Sequence, residues 1–264
     1  MSSADLLHIA VWQAESARAD VESNLAALAR AAAEAKAHGA ELLIGPEMFV
    51  TGYAIGDSIN TLAQRPLAAE VAAVAREQGI AIIIGGPEQT TRGVTNAVWF
   101  VDEHGALLAT HHKVQLFGEF DRAFFVQGES ASPVVTFKGF TIGMLICFDV
   151  EFPENTRRLA LAGADLIAVP TAQMPPFGLV NEHMIRVRAW ENSAYVAYAN
   201  QVGTDDEYRY LGQSVIASPF GEHLAEAPES GESFLFATID RAELSAARAQ
   251  NPYLEQVRTD LPVQ

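Results

Sequence analysis

A chain of 264 residues, 49% of them apolar, is long enough to bury a substantial core as one α/β domain spanning residues 1–264. Its 33 acidic and 17 basic residues give a formal net charge of −16, which argues against a nucleic-acid partner and leaves plain solubility or attraction of cationic small molecules. The lone cysteine, Cys147, excludes an intramolecular disulfide and a cysteine-rich zinc site, and the lack of a basic-flanked leader or a membrane-length apolar run leads us to expect a cytoplasmic protein with no membrane partner.

Short apolar, β-branched runs alternate with alanine-rich amphipathic stretches, the pattern of strands feeding helices that pack on a sheet. A strand is predicted at residues 6–12 and a helix at 20–38. Asp20 can cap that helix, Leu25, Leu28 and Ala32 recur at helical spacing, and His38-Gly39 supplies a stop. A strand at 41–45 and a helix at 66–78 follow, then strands at 80–86, 95–101 and 106–111. Residues 116–133 mix Gly, Phe and charges without a period and read as a long functional loop. Strands at 134–137 and 141–146 lead to a helix at 153–162, whose Pro153 suits a first helical turn. A strand at 166–170, a helix at 181–192, strands at 195–200, 213–218 and 233–239, and a helix at 241–249 complete the order. No linker, low-complexity tract or solenoid repeat divides the chain.

Glu47, Lys113 and Cys147 each follow an apolar strand, where an α/β sheet presents side chains to the crevice at its carboxyl ends. A carboxylate, an ammonium and a thiol suffice for acyl transfer from an amide: the thiol needs a base, the oxyanion a positive donor and the leaving amine a proton. That chemistry requires neither a metal nor an organic cofactor, and none is expected. Taken singly, each residue also has an ordinary reading as a turn cap, a surface charge or a packing group. Other chemistries lack their motifs. Gly212-Gln213-Ser214 has Ile216 where a serine nucleophile elbow needs its second glycine, Glu182-His183 has no second histidine for a metal helix, and no phosphate-binding glycine loop occurs.

The local sequences are more specific than the spacing. Pro46-Glu47-Met48-Phe49-Val50-Thr51-Gly52-Tyr53, His112-Lys113-Val114-Gln115-Leu116-Phe117-Gly118-Glu119 and Ile146-Cys147-Phe148-Asp149-Val150-Glu151-Phe152-Pro153-Glu154 closely resemble the three catalytic blocks of the nitrilase (carbon-nitrogen hydrolase) superfamily. The likeness continues through residues 166–173, 186–192 and 212–221. The resemblance implies an α/β, four-layer αββα sandwich, a homodimer or higher homo-oligomer, and a small-molecule amide substrate. It implies Glu47 as base, Cys147 as the nucleophile that forms a thioester, and Lys113 with the backbone N–H of Phe148 as oxyanion donors. Tyr53, Phe148, Ala172 and Gln173 would line the substrate site. A supporting acid in the loop after the lysine is assigned to Glu119, with Asp121 competing because of its spacing to Gly128.

Asp149 and Glu151, after the nucleophile, would fix its turn by hydrogen bonds and not touch substrate, and the spacing of three to five residues among Arg186, Arg188, Glu191 and Asn192 on one predicted helix favours structural ion pairs over catalysis. Phe148-Asp149 after the cysteine, where true nitrilases carry tryptophan and glutamate, favours amide over nitrile hydrolysis. The branch it resembles is that of the δ-aminovaleramidases, although Gln115 replaces a usual histidine and Gln173 a usual asparagine. The expected reaction converts a short linear amide, such as the ω-amino amide δ-aminovaleramide, to the acid and ammonia. Asp57, Asp205, Asp206 and Glu207 are loop candidates for holding the ammonium. Competing readings are an N-carbamoyl-amino-acid or β-ureidopropionate hydrolase, an ω-amidase, and a non-catalytic binding protein of the same fold.

Overall fold

In the computed structural model, which describes residues 5–205 and 208–258, strand β1 (Leu6–Gln13) sends Leu7, Ile9 and Val11 to one face and Ala10 and Trp12 to the other. Helix α1 (Val21–Ala37) starts where the Asp20 carboxylate accepts from Ser23 N, and it buries Val21, Leu28, Ala31, Ala32 and Ala35 along one stripe. Strand β2 (Leu42–Ile44), the short helix α2 (Ser58–Leu62) and α3 (Leu67–Gln78) precede β3 (Ala81–Thr90), β4 (Gly93–Val101) and β5 (Leu107–His112). Residues 116–133 are not wholly a loop. They contain the seven-residue helix α4 (Gly118–Phe124).

The second half runs β6 (Val135–Phe137), β7 (Phe140–Met144), α5 (Pro153–Leu161), β8 (Leu166–Thr171), α6 (Ile185–Asn192) and β9 (Tyr195–Asn200). It continues with β10 (Thr204–Asp205), β11 (Tyr208–Arg209), β12 (Val215–Ala217), β13 (His223–Glu226), β14 (Ser233–Asp240), α7 (Arg241–Gln250) and α8 (Tyr253–Gln256). The helix predicted at 181–192 opens with a turn of π-helix, Val180–Met184, before α6.

Two six-stranded sheets result, in the orders β14-β1-β2-β3-β4-β5 and β13-β12-β9-β8-β7-β6. Because side chains alternate along a strand, each sheet has two apolar faces. Ile9, Val11, Ile44, Ile83 and Phe100 meet Ile142, Met144, Leu166, Ala197 and Ile216 between the sheets. On the outer faces, Ala10, Trp12, Leu43, Ile82 and Ile84 pack with Leu28, Ala32, Val71 and Ala75 of α1 and α3, while Ile167, Val169 and Val196 pack with Leu159 of α5 and Ile185 and Ala189 of α6. The protein is thus an αββα sandwich. Each fully buried aliphatic side chain contributes about 1.5–3 kcal/mol, so these three interfaces supply most of the driving force for folding.

Strand direction decides which side chains share an edge. β1, β2 and β3 run parallel, and β5 returns to that direction through antiparallel β4. In the other sheet β7, β8 and β9 run parallel, and a parallel bridge between Ala14 and Gln201 aligns the two sheets. The carboxyl ends of β2, β5, β7 and β8 therefore open on one edge of the sandwich. Among the described residues, no helix is long and apolar enough to cross a membrane.

Candidate active site

Glu47 sits just beyond β2, fully buried, on a tight turn. Its backbone N–H donates to Thr171 O at 3.4 Å and its carbonyl accepts from Gln201 Nε2 at 2.8 Å, so the other sheet holds it on both sides. Met48 follows with φ of +52°, a left-handed conformation that a side chain adopts only under constraint. The constraint includes Gly85: a Cβ there would come within 2.6 Å of Met48 N and 3.0 Å of Glu47 Cα.

Lys113, beyond β5, is also buried, and its ammonium is shared between Glu47 Oε1 at 2.7 Å and Asp121 Oδ2 at 2.8 Å. Asn96, on β4, donates a second hydrogen bond to Glu47 Oε1 at 2.7 Å. Oε1 thus takes both donors, and Oε2 has no hydrogen-bond partner among the described residues. Asp121 is fixed from three sides, accepting from Lys113, from Tyr53 OH at 2.5 Å and from Phe117 N at 2.9 Å. Burial opposes the Lys113 charge, but Asp121 and Glu47 outweigh it and hold the ammonium's pKa well above the usual lysine range. Burial raises the Glu47 carboxyl; Lys113 pulls it down and Asp121 adds to the rise.

Cys147 opens a 3-10 turn, Cys147–Glu151, beyond β7, with φ of +46°. Asp149 ties this turn to the lysine loop. Its carboxylate accepts from Ile146 N at 3.1 Å, Val114 N at 3.1 Å, Gln115 N at 2.8 Å and His111 Nε2 at 2.9 Å. Arg188 clamps the far end, donating to the carbonyls of Val150 at 2.8 Å and Glu151 at 2.7 Å while pairing with Glu191 at 3.0 Å. The Cys147 thiol points to Gln173 Oε1 at 4.0 Å. Burial, then the Glu47 charge, pushes that thiol well above its ordinary pKa; Lys113 pulls the other way without prevailing. The resting sulfur is a neutral thiol.

Most of the residues singled out in the sequence meet here. Glu47, Lys113 and Cys147 share one buried electrostatic environment, and Gln173 touches the sulfur. Ala172 is buried beside Gln173, and the Phe148 ring stacks edge-on with Phe117 at 5.3 Å. Tyr53 spends its hydroxyl on Asp121 and lies under the Lys113 ammonium, 5.9 Å from ring centre to nitrogen. Glu119 is the correction: it is exposed on α4, and Asp121, half a turn further on, holds the lysine in its place. Of the four acids considered for an ammonium, Asp57 is exposed, and Asp205 is already committed to Ala54 N at 2.7 Å and to Arg18 at 3.3 Å. Asp206 and Glu207 lie outside the described residues.

Asn96 was not anticipated. It shares the inter-sheet face of β4 with Val98 and Phe100, and a polar residue in that apolar alternation is the signal that could have found it. With two carboxylates, one ammonium and one neutral thiol, the cluster can accept one proton and present one positive donor.

Comparison with known proteins follows the same lines. A model of the carbon-nitrogen hydrolase family matches residues 8–249. A protein of Pseudomonas protegens described as a hydrolase in the pqqF 5' region is 43% identical, over 99% of this chain and 92% of its own length. An (R)-stereoselective amidase of a Pseudomonas species is 31% identical, over 83% of this chain and 80% of its own. Among solved structures, a mutant amidase from Nesterenkonia superposes with a TM-score of 0.86 at 31% identity, covering 98% of this chain and 96% of that one. That structure shows covalent addition of the acetamide moiety of fluoroacetamide at its active-site cysteine.

Proposed function

This chain belongs to the carbon-nitrogen hydrolase family and is a hydrolase of amide bonds, and we propose that it cleaves a small linear amide through a thioester on Cys147. The observation that carries this reading is the buried Lys113 ammonium shared by Glu47 and Asp121 beside the chain's one cysteine. The thiol is neutral at rest, so attack is coupled to proton transfer: sulfur bonds to the amide carbon as its proton passes to Glu47, through the unpartnered Oε2.

That transfer changes what Lys113 does. In the resting cluster two carboxylates compete for the ammonium. Once Glu47 is neutral, Asp121 alone balances it, and the ammonium is released to meet the new oxyanion, with the N–H of Phe148 as second donor. An interaction that strengthens only as charge develops lowers the barrier and not merely KM. Glu47 then gives its proton to the nitrogen as the C–N bond breaks and ammonia leaves. Water attacks the thioester with Glu47 again as base, the C–S bond breaks, and sulfur recovers a proton.

For the substrate we favour an ω-amino amide of the δ-aminovaleramide type. Two of the loop acids are exposed or already paired; in their place we put forward Glu151, which the sequence reading had given only a part in fixing the nucleophile turn and which is half-buried four residues after the nucleophile. Its carboxyl is raised by burial, with Gln173 and Lys113 pulling the other way. Intact-protein and peptide mass spectrometry after mixing with a panel of amides tests the chemistry: an acyl adduct is expected on the peptide carrying Cys147, and turnover with no adduct on Cys147→Ala protein would remove the thioester. Rates on neutral, anionic and cationic amides test the substrate. The cationic amide should lead, and Glu151→Gln should reduce that preference by about tenfold.

A further inference from the structure

Asn96, fully buried on β4, holds two members of the cluster at once. Its backbone carbonyl accepts from Lys113 N at 2.9 Å, and its Nδ2 donates to Glu47 Oε1 at 2.7 Å. β4 pairs with β3 on one side and β5 on the other, so the backbone that carries this amide is itself fixed. The amide's orientation is fixed too, because a flip would set its oxygen against a carboxylate oxygen. Its own Oδ1 has no hydrogen-bond partner among the described residues. Burying an acceptor unpaired costs stability, and an apolar residue beside Val98 and Phe100 on this face would not bear that cost. Packing therefore gives no reason for the amide; its bond to Glu47 does.

The last torsion of a glutamate is broad and two-fold, so a single donor does not hold one carboxylate oxygen apart from the other. Two donors on Oε1 do. Lys113 is the one that the reaction takes away, since its ammonium turns to the oxyanion once Glu47 is protonated. Of the two donors to Oε1, Asn96 then remains. The titratable groups facing Glu47 are Lys113, Asp121, Cys147 and the hydroxyls of Tyr53, Tyr198 and Tyr210. Tyr53 is committed to Asp121 and Tyr198 to Thr171, so neither stands in for the amide.

Resting on the thioester reading, we propose that Asn96 is the positioning residue of the base: it keeps Oε1 anchored and Oε2 as the proton carrier throughout acylation, including the interval in which Lys113 has turned away. The S–H proton bonds to Oε2 as sulfur bonds to the amide carbon, and the same proton leaves Oε2 for the nitrogen as the C–N bond breaks. Between these two transfers an unanchored carboxyl is free to rotate its O–H away from the nitrogen. The bond from Asn96 is to Oε1, which neither takes nor gives the proton.

The test compares the parent with Asn96→Leu, which nearly keeps the side chain's size and removes the donor, by steady-state kinetics across pH and by mass spectrometry of the acyl adduct. A donor to the ionised carboxylate favours the charged form, so its loss raises the Glu47 carboxyl further. The base must be ionised to act, and the acid limb of kcat/KM should therefore move up by about one pH unit. At the optimum kcat should fall by about 10²-fold with KM near the parent value. A purely structural loss would lower Tm and the active fraction without moving the limb. Should Asn96→Leu not fold, Asn96→Ala carries the same comparison. An acid limb at the parent's pH, with kcat close to the parent's in a variant that still forms the adduct, would overturn the role of Asn96 alone. A parent that turns over with no adduct on Cys147 would bring down the thioester reading, and this inference with it.

Discussion

Lys113 carries one positive charge between two carboxylates in a site with no solvent exposure, and its surroundings were only partly written in local sequence. Glu47, Lys113 and Cys147 each end an apolar run, and it is the local blocks around them, similar to those of the family, that singled them out in the sequence. Asp121 against Glu119 was not, since the choice depends on which face of a seven-residue helix turns inward. Asp121→Asn should lower kcat/KM by about a hundredfold and cost about 3–5 kcal/mol in urea unfolding, because it removes one partner from a buried charge network. Glu119→Gln, on an exposed side chain, should change stability by no more than about 0.5 kcal/mol and leave kcat/KM near the parent value. The pH profile reports on Glu47 separately. The base must be ionised and its folded-state pKa is raised, so kcat/KM should climb with pH through a midpoint above the ordinary glutamate value. Glu47→Gln should abolish that limb and lower kcat by about 10²–10⁴-fold. An acid limb at or below pH 4.5, the ordinary glutamate value, would disconnect it from this residue.

At the level of elements, strands of period two and helices with an apolar stripe were readable because each repeats long enough to declare its period. The short pieces α2, α4, α8, β10, β11 and β13 were missed for the converse reason: two to seven residues do not establish one, and contacts elsewhere fix them. Glu47 and Cys147 sit on tight turns between elements, and the strain of those turns is visible only in three dimensions. Met48 and Cys147 both hold positive φ without being glycine. Gly85 on β3 makes room for the first of these turns. Gly85→Ala should therefore destabilise the protein by about 1–3 kcal/mol in urea melts and lower kcat, since backbone and not a flexible side chain blocks the added methyl. An unchanged melt would mean that β3 can slide away from the Glu47 turn at little cost.

Taken as a whole, the molecule carries a formal charge of −16, and a field of that sign raises the local concentration of cations at short range. If the substrate is an amino amide, kcat/KM should fall as ionic strength rises towards about 0.1 M, where the screening length is about 10 Å, while a neutral amide should keep its rate. Equal salt dependence for both would make the acidity a matter of solubility alone. The α/β class followed from the alternation of element types and the layer order from the family resemblance; which strands become neighbours was not read from the sequence, because pairing between distant segments leaves no local trace.

One such pairing is that of β1 with β14, the first strand with the last. During synthesis β1 can acquire β2 on one side early, but its other edge must wait until residue 240 has left the ribosome. For most of translation the nascent chain thus exposes an unpaired, apolar strand edge of the kind that invites association with other chains. Truncation just before β14 should leave a polypeptide that binds chaperones or aggregates, however complete its catalytic residues are.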